Sequence, residues 1–332
     1  MKKRGVGIGC MWYGVGNTGL PNPSSAFVEW FADSSANVLV GCADIGQGSD
    51  TVMGQIVAEE LGIPFEMVRV TSADTLVTPE GGATSASRQT YISGNAVRLA
   101  AKEAKKNVLS EAALKLAVAA DRISFADGYV QVDGKKTELP LKDIIVACHK
   151  KGTLTLGHGW FNPDTSSLDP ETGQGRPFGT YAFATQVVEI EVDTGTGKIE
   201  VIKVVAAHDV GKAINPLLVE GQVEGGSLMG MSLGVLEELN VENGRIKNPN
   251  FDSYLIPTAL DTPEFETIIV EDHEPSGPFG AKGVGEPALI PTAAAIANAV
   301  YDAIGVRIYS LPISPEKILA ALESTAASRE KE

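Results

Sequence analysis

Residues 26–45, AFVEWFADSSANVLVGCADI, read as a strand, a polar turn at Asp33-Ser34-Ser35 and a second strand. In the following GQGSDTVMGQIVAEELGIP, Val52, Met53, Ile56 and Val57 recur at helical spacing. Ser49 or Asp50 can cap this helix, Gly62 ends it and Pro64 prevents its continuation. FEMVRVTSAD returns to a strand, and EGGATSASRQTYISGNAVRLAAKEAKKNVLSEAAL reads as a glycine/serine loop running into a long helix. Residues 122–156 form a small peripheral region with hairpin turns at Asp127-Gly128 and Asp133-Gly134. Residues 157–180 carry no periodicity and read as one long loop, a length usually reserved for function, linking or an interface.

The order then repeats. TQVVEIEVDTGTGKIEVIKVVAAHDV is a hairpin, GKAINPLLVEGQVEGGSLMGMSLGVL a loop and helix, and further strands lead to the loop SGPFGAKGVGEP and the helix TAAAIANAVYDAIG. The match is one of pattern rather than of residues. It predicts an α+β protein with two α/β subdomains, residues 1–156 and 181–332, and a groove between them, where sites often lie.

Charge narrows the ligands. Lys+Arg 27 against Asp+Glu 42 gives −15 with no basic stripe, so the chain repels phosphate backbones and nucleic acid is not its partner. An anionic ligand would rest on backbone N–H groups and helix ends rather than on a positive field. No run approaches the roughly 18 apolar residues that span a bilayer. Gly5 to Asn17 is too polar and glycine-rich for the core of a signal peptide, so a cytoplasmic address without a membrane partner is expected. Cys10, Cys42 and Cys148 are scattered, with neither disulfide nor metal-cluster spacing.

Candidate chemistry gathers in glycine-rich turns beside helices: Gly46-Gln47-Gly48, Gly221-Gln222 with Gly225-Gly226, and Gly280 to Glu286, with hydroxyls from Thr84 to Thr90. Glycine permits close approach, free N–H groups suit phosphate, and glutamine matches the polar edge of a flat ring system. A lone GQG is more often a plain turn and the TSAS serines plain caps. TGTGK lacks the spacing of a phosphate loop, and GVGIGC opens no dinucleotide helix. His208-Asp209, at a strand end, reads first as a structural Asp, and His149, His158 and His273 share no ligand spacing. Glu286 has two readings. It can be a dipole partner of the Pro291–Ala303 helix, or a carboxylate set on flexible backbone in apolar surroundings, as a general base requires.

Five collinear segments bear on that choice: GQGSDTVMGQIVAEELGIP, TSASRQT, INPLLVEGQVEGG, NPNFDSYLIPTALDTP and GPFGAKGVGEPALIPTAAAIANAVYDAIG. Together they resemble the second molybdenum-binding half of the xanthine dehydrogenase/aldehyde oxidase family of molybdenum hydroxylases, over nearly the whole chain. The resemblance implies that Glu286 is the catalytic base. It implies that Gly46, Gln47, Gly48, Ala86, Ser87, Arg88, Gln89, Gln222 and Gly285 hold or line a molybdopterin cofactor, in its cytosine dinucleotide form, with no side chain ligating the metal. The first half of the family pattern is missing. That implies a large molybdopterin partner subunit, with iron–sulfur and FAD subunits beside it. The split resembles that of nicotinate dehydrogenases, which hydroxylate a small heterocycle, nicotinate, to 6-hydroxynicotinate. Purine, aldehyde or aromatic-thioester hydroxylation is the alternative, and a non-catalytic scaffold or maturation role lies outside that class.

Overall fold

A computed structural model describes residues 1–18 and 20–329. Three strands lead the chain: β1 (Lys2–Gly14), β2 (Ser24–Trp30) and β3 (Ala36–Val40). They are followed by α1 (Ser49–Leu61), β4 (Val68–Ser72) and α2 (Gly94–Leu116), which is entered through a π turn at Gln89–Ser93. β5 (Ile123–Ala126), β6 (Tyr129–Val132), β7 (Lys135–Pro140) and α3 (Leu141–Lys150) form the peripheral region, and β8 (Leu156–Phe161) follows. Then come β9 (Tyr181–Asp193), β10 (Ile199–Asp209), α4 (Pro216–Val235), the short β11 (Val241–Glu242) and β12 (Arg245–Ile246), β13 (Glu264–Val270), α5 (Thr292–Ile304) and α6 (Pro315–Arg329).

Two mixed four-stranded sheets dominate, in the orders β4-β3-β2-β8 and β1-β9-β10-β13. Each repeats one pairing scheme, antiparallel, antiparallel, parallel: β8–β2, β2–β3 and β3–β4 in the first, β1–β9, β9–β10 and β10–β13 in the second. The duplicated pattern of the sequence is therefore a duplicated topology, and the class is α+β with mixed sheets. Trp30, Val38, Met53 and Ile56 sit in one core; Val188, Ile190, Ile296 and Val300 sit in the other. A smaller cluster of Met11, Val15, Tyr91, Ile92, Ala182 and Ala184 joins the halves.

Each sheet's outermost antiparallel strand lies directly on an alanine-rich helix. A Cβ on Gly159 of β8 would come 1.9 Å from the Ala96 carbonyl oxygen of α2, and one on Gly7 of β1 would come 2.0 Å from that of Ala295 in α5. The glycines of GVGIG are thus a packing surface and not a ligand turn.

Several expectations change. β1 lies in the second sheet, so the first unit does not run unbroken from residue 1 to 156. The chain begins in the second half, crosses to the first and returns. Residues 157–161 belong to β8, which shortens the long loop to 162–180. Leu141, Ile144, Ile145 and Cys148 bury one face of α3 in the region read only as hairpins. Residues 221–226 lie inside α4, whose start is capped by the Asn215 side chain with Pro216 in the first turn, so no helix begins at Gly221. Residues 286–304 meet the length and composition of a membrane span, contrary to expectation, yet α5 buries Ala295, Ile296, Ala299 and Val300 in the second core. Residues 330–332, at the end of the predicted second unit, lie outside the described residues.

Candidate active site

The loop between β13 and α5 is fastened to the end of β10. Lys212 N–H donates to Gly280 O at 2.7 Å, and Lys282 N–H to Val210 O at 2.9 Å. Asp209 Oδ1 accepts from Gly211 N–H, while its Oδ2 holds Lys282 Nζ at 2.6 Å in a buried ion pair. This is the structural role expected for Asp209. The adjacent His208 is buried, and that burial pushes its pKa down to about 4, so it is neutral.

Beyond Lys282 the loop crosses to the other half. A Cβ on Gly283 would fall 1.6 Å from Ser87 O, and one on Gly285 would fall 3.2 Å from Ser87 Oγ. Glu286 begins a 3-10 turn, Glu286–Ala288, separate from α5. Its N–H donates to Ser87 Oγ at 3.2 Å, and Ser87 Oγ–H in turn donates to Glu286 Oε2. The half-buried carboxylate therefore faces a hydroxyl across the seam and, among the described residues, makes no hydrogen bond to the start of α5. Tyr13, at the end of β1, stands beside this pair. Burial and then the Glu286 charge push its phenol up to about 12.

The first half supplies two shaped loops. In GQG, Asp44 accepts from the N–H groups of Gly46 at 2.8 Å and Asp50 at 3.1 Å. Burial opposes its ionisation, but these bonds and those from Gly48 and Ser49 hold its carboxyl below the usual range. Asp44 replaces the expected Ser49 or Asp50 cap. Gln47 folds back on the same loop, its Oε1 accepting from Ile45 N–H and its Nε2 donating to Ala43 O and Ser49 Oγ. Ala86 and Ser87 have φ of 51° and 50°, rare for residues with a Cβ, and this bend aims Ser87 at Glu286. The N–H groups of Ser85, Ala86 and Ser87 find no acceptor among the described residues. Arg88 is 1% exposed and donates to the carbonyl oxygens of Gly81, Ala83, Asn22 and Pro23. Gln89 donates to Ala83 O and Thr84 Oγ1.

A cavity of about 360 Å³ opens where these loops meet α4. Of the ten residues nominated from the sequence, Gln47, Ser87, Arg88, Gln89, Gln222, Gly285 and Glu286 line it. Gly46, Gly48 and Ala86 do not; they shape the loops through positive φ angles. The side chain of Gln222, on α4, makes no hydrogen bond among the described residues. The charged wall carries Arg88, Lys212 and Lys282 against Glu286 alone. In a chain of net charge −15 this cationic lining departs from the expectation that backbone groups alone would meet an anion. Lys212 and Lys282 are neutralised by Glu271 and Asp209, so the uncompensated charge is that of Arg88, whose buried Nε has no partner. Unpaired N–H groups, a free amide and this guanidinium fit a polar, phosphate-bearing group.

The sequence reading missed Asp44, Tyr13 and Lys282. An Asp two residues before a Gly-x-Gly turn is a local signal for the first. Lys282 follows in GAKG, but its carboxylate lies far along the chain, and Tyr13 reaches Glu286 only because β1 joins the second sheet.

The model of the molybdopterin cofactor-binding domain matches residues 1–263. The chain is 36% identical over 324 residues to the putative xanthine dehydrogenase molybdenum-binding subunit XdhA of Escherichia coli, covering 95% of this chain and 42% of that protein. It thus spans less than half the length of the curated relatives it matches. Among solved structures, aldehyde oxidoreductase from Desulfovibrio gigas aligns with a TM-score of 0.82 and 31% identity, over 97% of this chain and 33% of that one. Quinoline 2-oxidoreductase from Pseudomonas putida 86 aligns with a TM-score of 0.86 and 28% identity, over 97% and 42%.

Proposed function

The chain belongs to the molybdopterin cofactor-binding domains of the xanthine dehydrogenase/aldehyde oxidase family, and on that premise we propose that it is the base-bearing part of a molybdenum hydroxylase. The reaction inserts a water-derived oxygen at an electron-poor carbon of a nitrogen heterocycle, nicotinate to 6-hydroxynicotinate being the specific form. One observation carries this reading. Glu286 presents a carboxylate to the cavity with no cation paired to it among the described residues; Ser87 donates to its Oε2, the Tyr13 phenol hydrogen-bonds the same carboxylate, and no positive charge competes for the proton it would take. Ser87 fixes the carboxylate's orientation, and Val52, Leu218 and Val284 give the same cavity apolar walls.

The residues that would hold the cofactor are Gln47, the 85–87 backbone, Gln222 and Gly285, with Arg88 offsetting its phosphate charge. When bound, the cofactor supplies the electron sink and the activation of water at neutral pH. We assign it the cytosine dinucleotide form and place iron–sulfur and FAD centres, and the remainder of the molybdenum-binding region, on further polypeptide that this chain contacts. The exposed Trp12, Ile8 and Phe183 on the outer sheet face support such contact. We place the enzyme in the cytoplasm, without nucleic-acid or membrane partners.

Two of the similar proteins carry nitrogen heterocycles, xanthine and quinoline, in their names, which supports the heterocycle class. The aldehyde oxidoreductase keeps an aldehyde substrate as the rival. Glu286→Gln, isosteric and a poor base, should abolish turnover while molybdenum and pterin stay bound. Near wild-type turnover in that variant would overturn the proposal. A substrate screen on the purified enzyme separates nicotinate from purines, aldehydes and aromatic thioesters. A purified enzyme free of molybdenum and pterin would favour the scaffold role.

A further inference from the structure

Beneath the Glu286 turn lies a buried polar cluster that the proposed reaction does not use. Gln186, on β9, is 0% exposed, as are Ser227 and Thr292, and His208 is 1% exposed. Gln186 Nε2 donates to the carbonyl oxygen of Ala288, the last residue of the turn, at 2.7 Å. The same nitrogen lies 2.9 Å from Ser227 Oγ and 3.0 Å from His208 Nε2. Gln186 Oε1 accepts from Thr292 Oγ1 at 2.6 Å.

These contacts admit one orientation of the amide. Reversed, Oε1 would face the Ala288 carbonyl oxygen, and two acceptors would meet in a site without water-accessible surface. With Nε2 toward Ala288, His208 must present a lone pair at Nε2 and keep its proton on Nδ1. That Nδ1 has no partner, so the cluster accepts one orphaned donor to keep the amide in place. The far end of the turn is thereby tied to β9, while its near end meets Ser87.

We infer that Gln186 is a positioning residue for Glu286: its amide clamps the Ala288 carbonyl and so holds the turn that sets the carboxylate against Ser87. This rests on the proposed role of Glu286, and Gln186 touches neither the cavity nor the reacting atoms. Thr292 holds the other end of the amide, and neutral His208 lies against its nitrogen.

The test uses the full chain in the enzyme it copurifies with. Gln186→Met keeps the volume and removes the donor. A displaced base predicts kcat lower by about 10- to 100-fold, with KM within about twofold and wild-type molybdenum and pterin content. Independently of turnover, the Leu289 amide, which bonds Glu286 O, should exchange with deuterium at least about fivefold faster. In the unaltered chain, His208 should carry its proton on Nδ1 by nitrogen NMR. Wild-type kcat and exchange in Gln186→Met, or a kcat loss that merely follows lost cofactor, overturn the inference. If Gln186→Met yields no soluble chain, Thr292→Val decides: a severalfold fall in kcat with faster Leu289 exchange supports the clamp, and neither change overturns it. Glu286→Gln is the reference arm. Full turnover there sinks the proposed reaction, whereas Leu289 exchange still judges the clamp by itself.

Discussion

The two halves share one pairing scheme but divide the labour at the seam. In the first, the side chains of the loops before α1 and α2 fold back on their own backbone, Asp44 and Gln47 in one, Arg88 and Gln89 in the other, while the 85–87 N–H groups and Arg88 Nε are left unpaired among the described residues. In the second, the corresponding elements turn side chains toward the cavity, the Gln222 amide from within α4 and the Glu286 carboxylate from the turn ahead of α5. A duplicated scaffold thus supplies one rigid wall and one reactive wall. They are joined because the strand that completes the second sheet, β1, comes first in the chain, whereas its counterpart β8 follows α2.

The buried cations break the comparison most sharply. Lys282 ties the second half's loop to a counter-charge, Asp209, while Arg88 ties the first half's loop to carbonyl oxygens only. Lys282→Met strands a buried carboxylate and should cost about 3–5 kcal/mol in urea unfolding. Pairing it with Asp209→Leu should restore most of that loss. Arg88→Met strands no charge and should cost about 2 kcal/mol, with no partner substitution able to restore it. Equal losses for the two single variants would erase the distinction.

The packing of the outer strands should instead be alike. Gly7→Ala and Gly159→Ala each drive a Cβ into a helix carbonyl, and each should lower stability by about 2–3 kcal/mol, read as the shift in denaturation midpoint. If only Gly159→Ala hurts, β1 is a loosely docked edge and not the structural equal of β8.

What the sequence discloses is what local spacing controls. The period of Val52, Met53, Ile56 and Val57 locates α1, and the Asp-Gly pairs at 127–128 and 133–134 form turns with positive φ at all four positions. The repeated order of elements reveals the duplication. Glu286 and the loops around Gln47 and Ser87 stand out because of their glycines: Gly283 brings backbone against Ser87, and Gly46 and Gly48 take positive φ. Hidden are the features made by distant pairing: β1 in the second sheet, Tyr13 and Ser87 around Glu286, and the Gln186 cluster under it. The glycines of α4 misled because they permit close helix packing, Gly226 against Ala288, as readily as they make loops.

His208 distinguishes the second half by pH. Its folded pKa of about 4 lies below the ordinary 6.5, so the unfolded chain binds the proton more readily. Stability is full above pH 6.5 and falls as pH drops toward 4, by about 2 kcal/mol at pH 5. His208→Phe should flatten that limb of a Tm-against-pH curve. An unchanged slope would mean that other groups govern acid unfolding.

The smallest effect compares the glutamines. Gln47→Ala unpairs Ile45 N–H and takes one of two donors from Ala43 O, which keeps Thr84 Oγ1, and should lose about 1 kcal/mol. Gln222 has no partner among the described residues, so Gln222→Ala should leave stability within about 0.5 kcal/mol. Its cost should appear only as molybdenum and pterin lost from the purified enzyme, measured by metal analysis. A side chain that lines the cavity, satisfies nothing inside the chain and still costs nothing when removed would have no reason to point there. Full cofactor retention in Gln222→Ala would therefore move the reactive wall off α4 and leave Glu286 to carry it.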